Sequence, residues 1–211
     1  MALDKEKISK RIDEIFHQSI EVKLDFLKKN KSNLIDVVEV FAAAFKTGHK
    51  LLAFGNGGSA CDTQHFVGEF VNRFMHDRRP LPALALTADM SILTSTANDY
   101  CYEDVFVRQL SALGQRGDVA FGITTSGNSE NVVRALKKAK EMGLETIALT
   151  GNDGGKVGKI VDHHINVGLG KTPRIQETHI VVCHLIVEML DNILFDLPYV
   201  THEAHSFESQ K

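Results

Sequence analysis

Polar and apolar positions fall into two regimes along the chain. In the first 47 residues, Ile8, Ile12, Ile15 and Phe16 recur at three- and four-residue spacing, with Leu24 and Leu27 extending the stripe. That periodicity is one face of an amphipathic helix. A second stripe, Leu34, Val37, Val38, Phe41 and Phe45, predicts another helix from about Asn33 to Lys46. Asn33 is its expected N-cap, and Gly48 stands where a left-handed residue stops a helix. An apolar stripe on a leading helix suits a subunit interface as well as an internal contact.

Beyond Gly48 the period changes. Short apolar runs at Lys50–Phe54, Ala83–Leu86, Val119–Ile123, Thr146–Leu149 and His164–Val167 read as strands. Between them, Ala60–Phe74, Met90–Ala97, Glu103–Leu113 and Glu130–Met142 read as helices, and Arg174–Phe195 closes the series. Strands alternating with helices predict an α/β fold, a doubly wound parallel sheet covered on both faces. No linker, repeat or low-complexity segment interrupts the pattern, so the expectation is one domain over residues 1–211 with an N-terminal helical extension. The polar tail after Pro198, with His202 and His205, is expected to fray.

Composition narrows the classes of function. A net charge of -3 leaves no electrostatic footprint for nucleic acid. No uninterrupted apolar run reaches the roughly 18 residues of a membrane span. Cys61, Cys101 and Cys183 are too far apart and too few for a disulfide framework, and they read as small buried residues. With no signal-like N-terminus, the expected compartment is the cytoplasm.

Two predicted strand ends are chemically rich, and open parallel sheets bind ligands at such ends. The first, Gly55-Asn56-Gly57-Gly58-Ser59, leads from strand to helix. It lacks the third glycine of a dinucleotide fingerprint and the Gly-Lys-Ser/Thr of a P-loop, and by itself a glycine turn is often only a tight connection. The helix it opens carries His65 and Glu69, four residues apart and therefore on one face. The second, Thr124-Thr125-Ser126-Gly127-Asn128-Ser129, gathers four hydroxyls at a helix N-terminus. Hydroxyl and backbone donors at the positive end of a helix suit a phosphate dianion. Capping by Asn128 or Ser129 explains one or two of these residues but not the whole set.

The apolar residues of the last predicted helix read as those of a core helix, which singles out its polar Gln176, His179 and His184. Gln176 and His184 are about 12 Å apart along its axis and about 80° apart around it, so they share a site only by leaning together. A lone histidine in such a helix is usually a hydrogen-bonded core residue, which is the reading for His179. His163 and His164 flank a strand and read as structural.

These motifs, with Asp62, Gln64, Asn98-Asp99, Leu149-Thr150-Gly151 and Arg174-Ile175-Gln176-Glu177, resemble those of the phosphoheptose isomerase branch of the sugar isomerase (SIS) domain proteins. The likeness runs from about Asn33 to Phe195. It implies a five-stranded parallel sheet, a homotetramer with sites between subunits, and conversion of sedoheptulose 7-phosphate to D-glycero-D-manno-heptose 7-phosphate, the entry to nucleotide-heptose synthesis. By position, it implies substrate contacts from Asn56, Gly57, Gly58, Glu69, Asn98, Asp99, Thr124, Thr125, Ser126, Ser129 and Gln176. It also implies zinc held by His65, Glu69, Gln176 and His184, with the glutamine amide a weak ligand. Glu69 is the expected base, and His184 the expected second proton-transfer group. One departure stands out: Lys171-Thr172-Pro173 replaces the acidic residue that relatives often carry before Arg174.

A non-catalytic relative would use the same scaffold, as does the branch that associates with the bacterial replication initiator. Val71-Asn72-Arg73-Phe74 and Leu190–Phe195 are similar to that branch too. A binding module has no need of His65, Glu69, Gln176 and His184 together, and their joint presence favours the isomerase.

Overall fold

Five parallel strands in the order β2-β1-β3-β4-β5 form the sheet. They are β1 Leu51–Gly55, β2 Ala83–Ala85, β3 Val119–Thr124, β4 Glu145–Thr150 and β5 His163–Asn166. The fold is taken from a computed structural model that describes residues 3–168 and 170–199. The polar tail with His202 and His205 lies outside those residues. Helices α1 Lys5–Lys46, α2 Gly58–Val71, α3 Met90–Asp99, α4 Val105–Leu113, α5 Glu130–Glu141 and α6 Thr172–Phe195 flank the sheet. This is the doubly wound α/β architecture expected, with a helical N-terminal stretch. The order reverses between β1 and β3, and a ligand crevice opens at such a switch point.

Side chains alternate across the sheet and build two cores. On one face Phe121 packs with Phe41 of α1, Phe66 and Phe70 of α2, and Ile186 of α6. On the other, Phe54 packs with Phe106 of α4 and with Val132 and Leu136 of α5. Phe66 and Phe70 are four residues apart, fully buried, with ring centroids 4.8 Å apart. They fix the rotation of α2, and His65 and Glu69, each one residue earlier, are thereby turned about 100° away from the core. Truncating either phenylalanine to alanine costs about 3–5 kcal/mol.

The two expected N-terminal helices are one. Asp4 caps α1 by accepting from the Lys7 N–H at 3.0 Å, and Asn33 lies in the interior of the helix. The polar run Asn30–Asn33 resembles a break because its partners are distant in sequence. The buried Asn30 amide donates to the Phe26 and Asn166 carbonyls, both at 3.1 Å, and so ties α1 to the end of β5. Gly48 follows α1 at φ +82°, where it was expected.

Other boundaries move for local reasons. α2 stops at Val71, three residues before the expected end, because the Arg78 guanidinium takes the Glu69 and Phe70 carbonyls, each at 2.8 Å. The segment expected from Glu103 opens as a single 3-10 turn, Tyr102–Asp104, before α4. Of the cysteines, Cys183 is buried as expected, whereas Cys61 is exposed and Cys101 half-buried; all three are free.

By length and composition α6 could cross a membrane, with a mean hydropathy of 1.5 over its most apolar stretch. In this fold it is a core helix. Ile175, Val182, Cys183, Ile186, Val187 and Leu190 are buried against the sheet and its neighbouring helices. Pro173 occupies its first turn, where the missing N–H costs nothing, and this accounts for a proline beside Arg174.

Candidate active site

Helices α2 and α6 lie side by side, and their seam brings together the polar residues that the sequence spreads over 119 positions. His65 Nε2 lies 2.8 Å from His184 Nε2 and 3.2 Å from Glu69 Oε1. One ligand atom from each of the three lies within 4.8 Å of the others. Two facing imidazole nitrogens either share one proton or face one cation, since two lone pairs or two N–H groups would repel. Imidazole and carboxylate are ordinary zinc donors, so this set fits that metal. Burial lowers the His184 pKa, the adjacent His65 lowers it further, and Glu69 opposes both.

Gln176 sits at the other end of the seam. A Cβ built on Gly58 would lie only 2.3 Å from Gln176 Nε2, so the amide occupies the space that the glycine leaves at the start of α2. Gly57 just before it adopts φ +56°, ψ -123°, a backbone conformation open essentially to glycine alone. The first α2 amides, Ser59 and Ala60, already donate to the Asn56 and Gly57 carbonyls. Those of Gly57 and Gly58 precede that ladder, at the positive end of the helix.

The second loop follows β3, adjacent to β1 in the sheet. Thr124 Oγ1 and Ser129 Oγ lie 3.1 Å apart, and Ser129 makes no side-chain cap bond, so its hydroxyl is not spent on ending the helix. Ser126 and Asn128 shape the loop instead: Ser126 Oγ accepts from the Asn128 N–H at 3.1 Å. Thr125 is half-buried, and its carbonyl receives Asn152 Nδ2 at 3.1 Å. Asn98 and Asp99 end α3, exposed and bonded to each other at 2.8 Å.

The structure thus unites His65, Glu69 and His184 closely, sets Gln176 against Gly58, and places the hydroxyl loop beside the glycine turn. It also adds residues that the sequence did not single out. Asn131, buried in the first turn of α5, exchanges two amide hydrogen bonds with Asn56, and Tyr102 donates to Asn56 Oδ1 at 2.9 Å. The one available signal was a polar residue at the head of a strongly amphipathic helix. Asp62, half-buried on α2, has one carboxylate oxygen without a partner; burial raises its pKa and His65 draws it down. His179 is fully buried, donates to the Thr150 carbonyl at 3.1 Å, and has its pKa pushed down to about 4 by burial.

Comparison with known proteins identifies the family. The SIS domain family model matches residues 15–151. The chain is 51% identical over 184 residues to phosphoheptose isomerase of Aquifex aeolicus, covering 87% of this chain and 96% of that one. It is 45% identical to the enzyme of that name from Thermodesulfovibrio yellowstonii, covering 91% and 96%. Among solved structures, phosphoheptose isomerase of Neisseria gonorrhoeae superposes with a TM-score of 0.83 at 41% identity, covering 88% of this chain and 99% of that one. That of Francisella tularensis gives 0.84 at 32% identity, covering 87% and 97%. With catalytic-type residues converging on a glycine turn and a hydroxyl loop, and with relatives of this closeness over nearly their whole length, the chain belongs to the SIS domain family and, within it, to the phosphoheptose isomerases.

Proposed function

We propose that this chain, as a single SIS domain, isomerises sedoheptulose 7-phosphate to D-glycero-D-manno-heptose 7-phosphate, the first step toward nucleotide-activated heptose. The observation that carries this reading is the convergence of Glu69, His65 and His184 beside two loops suited to a sugar phosphate, in a chain half identical to a phosphoheptose isomerase. The reaction needs no oxidant. A proton leaves C1 as one reaches the C2 oxygen, giving an enediol; then C2 gains a proton and the C1 oxygen loses one.

Glu69 is the base that takes the carbon-bound proton. His184 moves the proton on oxygen: burial lowers its pKa and so favours the neutral form, and its Nε2 faces that of His65. Thr124, Thr125, Ser126 and Ser129, with the α5 N-terminus, hold the phosphate. Backbone amides of Asn56, Gly57 and Gly58, with Asn98, Asp99 and Gln176, hold the sugar end and fix its register. His65, Glu69 and His184 would hold zinc, and Gln176, set against Gly58, would join them only by leaning toward the cluster. When bound, that ion supplies polarisation of the sugar oxygens.

The chain also acts as a homotetramer in the cytoplasm. Supporting the assembly, Ile12, Phe16, Ile20 and Leu24 of α1 are each more than half exposed, an apolar row at four-residue spacing that a second copy would cover. Light scattering on the purified protein tests it, with a monomer the contrary result.

The deciding experiment is turnover of sedoheptulose 7-phosphate by wild type, Glu69→Gln and His184→Gln. Aldose product from wild type, lost by about 100-fold or more in both variants, supports the assignment. A wild type inactive with and without added zinc would leave the non-catalytic alternative standing.

A further inference from the structure

Asn56 and Asn131 are 75 residues apart and come from different sheet connections, yet their side chains form a closed pair. Asn56 Nδ2 donates to Asn131 Oδ1 at 2.8 Å, and Asn131 Nδ2 donates back to Asn56 Oδ1 at 2.9 Å. Asn131 Oδ1 also accepts the Val132 N–H at 3.0 Å, and Asn56 Oδ1 also accepts the Tyr102 hydroxyl at 2.9 Å. Only 3% of Asn131 is exposed, so water has little access to its amide, and removing its partner strands it. A cap at this helix end needs only one acceptor. Two-way pairing with a residue of the neighbouring loop goes beyond that need.

We infer that Asn131 is a positioning residue of this enzyme. Asn56 opens the glycine turn after β1, and Asn131 lies two residues beyond Ser129 in the helix that follows the hydroxyl loop. The pair therefore fixes the spacing between the loop that takes the phosphate and the turn that takes the sugar end. It sets that distance before any ligand arrives, so a seven-carbon phosphate meets Glu69 and His184 in one register. The inference rests on the isomerase reading above.

The test compares wild type, Asn131→Asp and Tyr102→Phe. Asn131→Asp keeps the volume and the acceptor for Val132, but it sets an oxygen against Asn56 Oδ1. Three quantities are measured: kcat/KM for sedoheptulose 7-phosphate, its binding by calorimetry, and the binding of inorganic phosphate, which needs the hydroxyl loop alone. The expected result for Asn131→Asp is a fall in kcat/KM of about 100-fold, the scale of an ångström-size misplacement, with phosphate affinity within about twofold of wild type. Tyr102→Phe, which removes one exposed bond and leaves the core intact, is expected to lose about threefold. Unchanged turnover in both variants overturns the inference, as does phosphate affinity falling in step with turnover, which marks collapse of the loop rather than altered spacing. If wild type binds the sugar phosphate without converting it, the isomerase reading fails. The inference is then decided by whether Asn131→Asp weakens sugar-phosphate binding but not phosphate binding.

Discussion

His65 and His184 meet Nε2 to Nε2 at 2.8 Å, although 119 residues separate them. Their ring centroids are 5.0 Å apart, and the Phe74 ring lies 5.5 Å from that of His184. Each imidazole is presented by a helix whose rotation is fixed by the phenylalanine and aliphatic residues beneath it, so the contact is a product of the core. Replacing His65 by Gln removes one of two imidazoles from the cluster. Zinc affinity, measured by competition with a chelating dye, is expected to fall by more than the roughly 10- to 100-fold that losing a residue behind the ligands costs. An unchanged affinity would remove His65 from the ligand set.

Gly58→Ala separates space from stability. The atoms nearest the new methyl group belong to the end of the Gln176 side chain, which can swing aside, and α2 accepts alanine at that position. The melting temperature is expected to hold or rise, by up to about 1 kcal/mol in stability. Turnover is expected to fall, and adding Gln176→Ala to the variant should cost little more. Additive losses in the double variant would show that Gly58 and Gln176 act separately.

Arg78 and Asp191 form an ion pair of 2.7 Å with both side chains almost wholly buried. The same guanidinium takes the Glu69 and Phe70 carbonyls, so one residue joins the end of α2 to α6. Removing one partner of a buried pair costs about 3–5 kcal/mol because the other charge is left uncompensated. Arg78→Met is expected to lower the urea midpoint accordingly, whereas Arg78→Met with Asp191→Leu should recover much of the loss. Equal midpoints for the two variants would contradict this account.

His179 gives stability a pH dependence of known sign. Its folded pKa is about 4, below the 6.5 of an unfolded histidine. Between those values the unfolded chain takes a proton that the native state refuses. The contribution is complete above about pH 6.5, declines as pH falls toward 4, and changes no further below that. Across the window it amounts to roughly 3 kcal/mol. The stability difference between wild type and His179→Gln, from denaturant melts at several pH values, should narrow by that order on acidification from pH 7 to 4. A difference that stays constant would place the group elsewhere.

Much of this protein was legible in the chain alone, because period is a local property. The switch from helical spacing to short strands alternating with helices gave the five strands, their helices and the parallel sheet, with boundaries off by a few residues. The glycine turn, the hydroxyl loop and the His65–Glu69 spacing were likewise local patterns, and identified the surfaces to watch. What the sequence did not determine were features with distant partners. Asn33 looked like the cap of a second helix until β5 supplied acceptors for its amide and for that of Asn30. Asn131 looked like an ordinary polar residue at a helix start until Asn56 came to face it. His184 acquired its neighbours, and its lowered pKa, only when the Phe66–Phe70 core set α2 beside α6. Hydrogen bonds and desolvation act over a few ångströms in space and take no account of separation along the chain, so the tertiary structure alone decided which of these polar residues would meet.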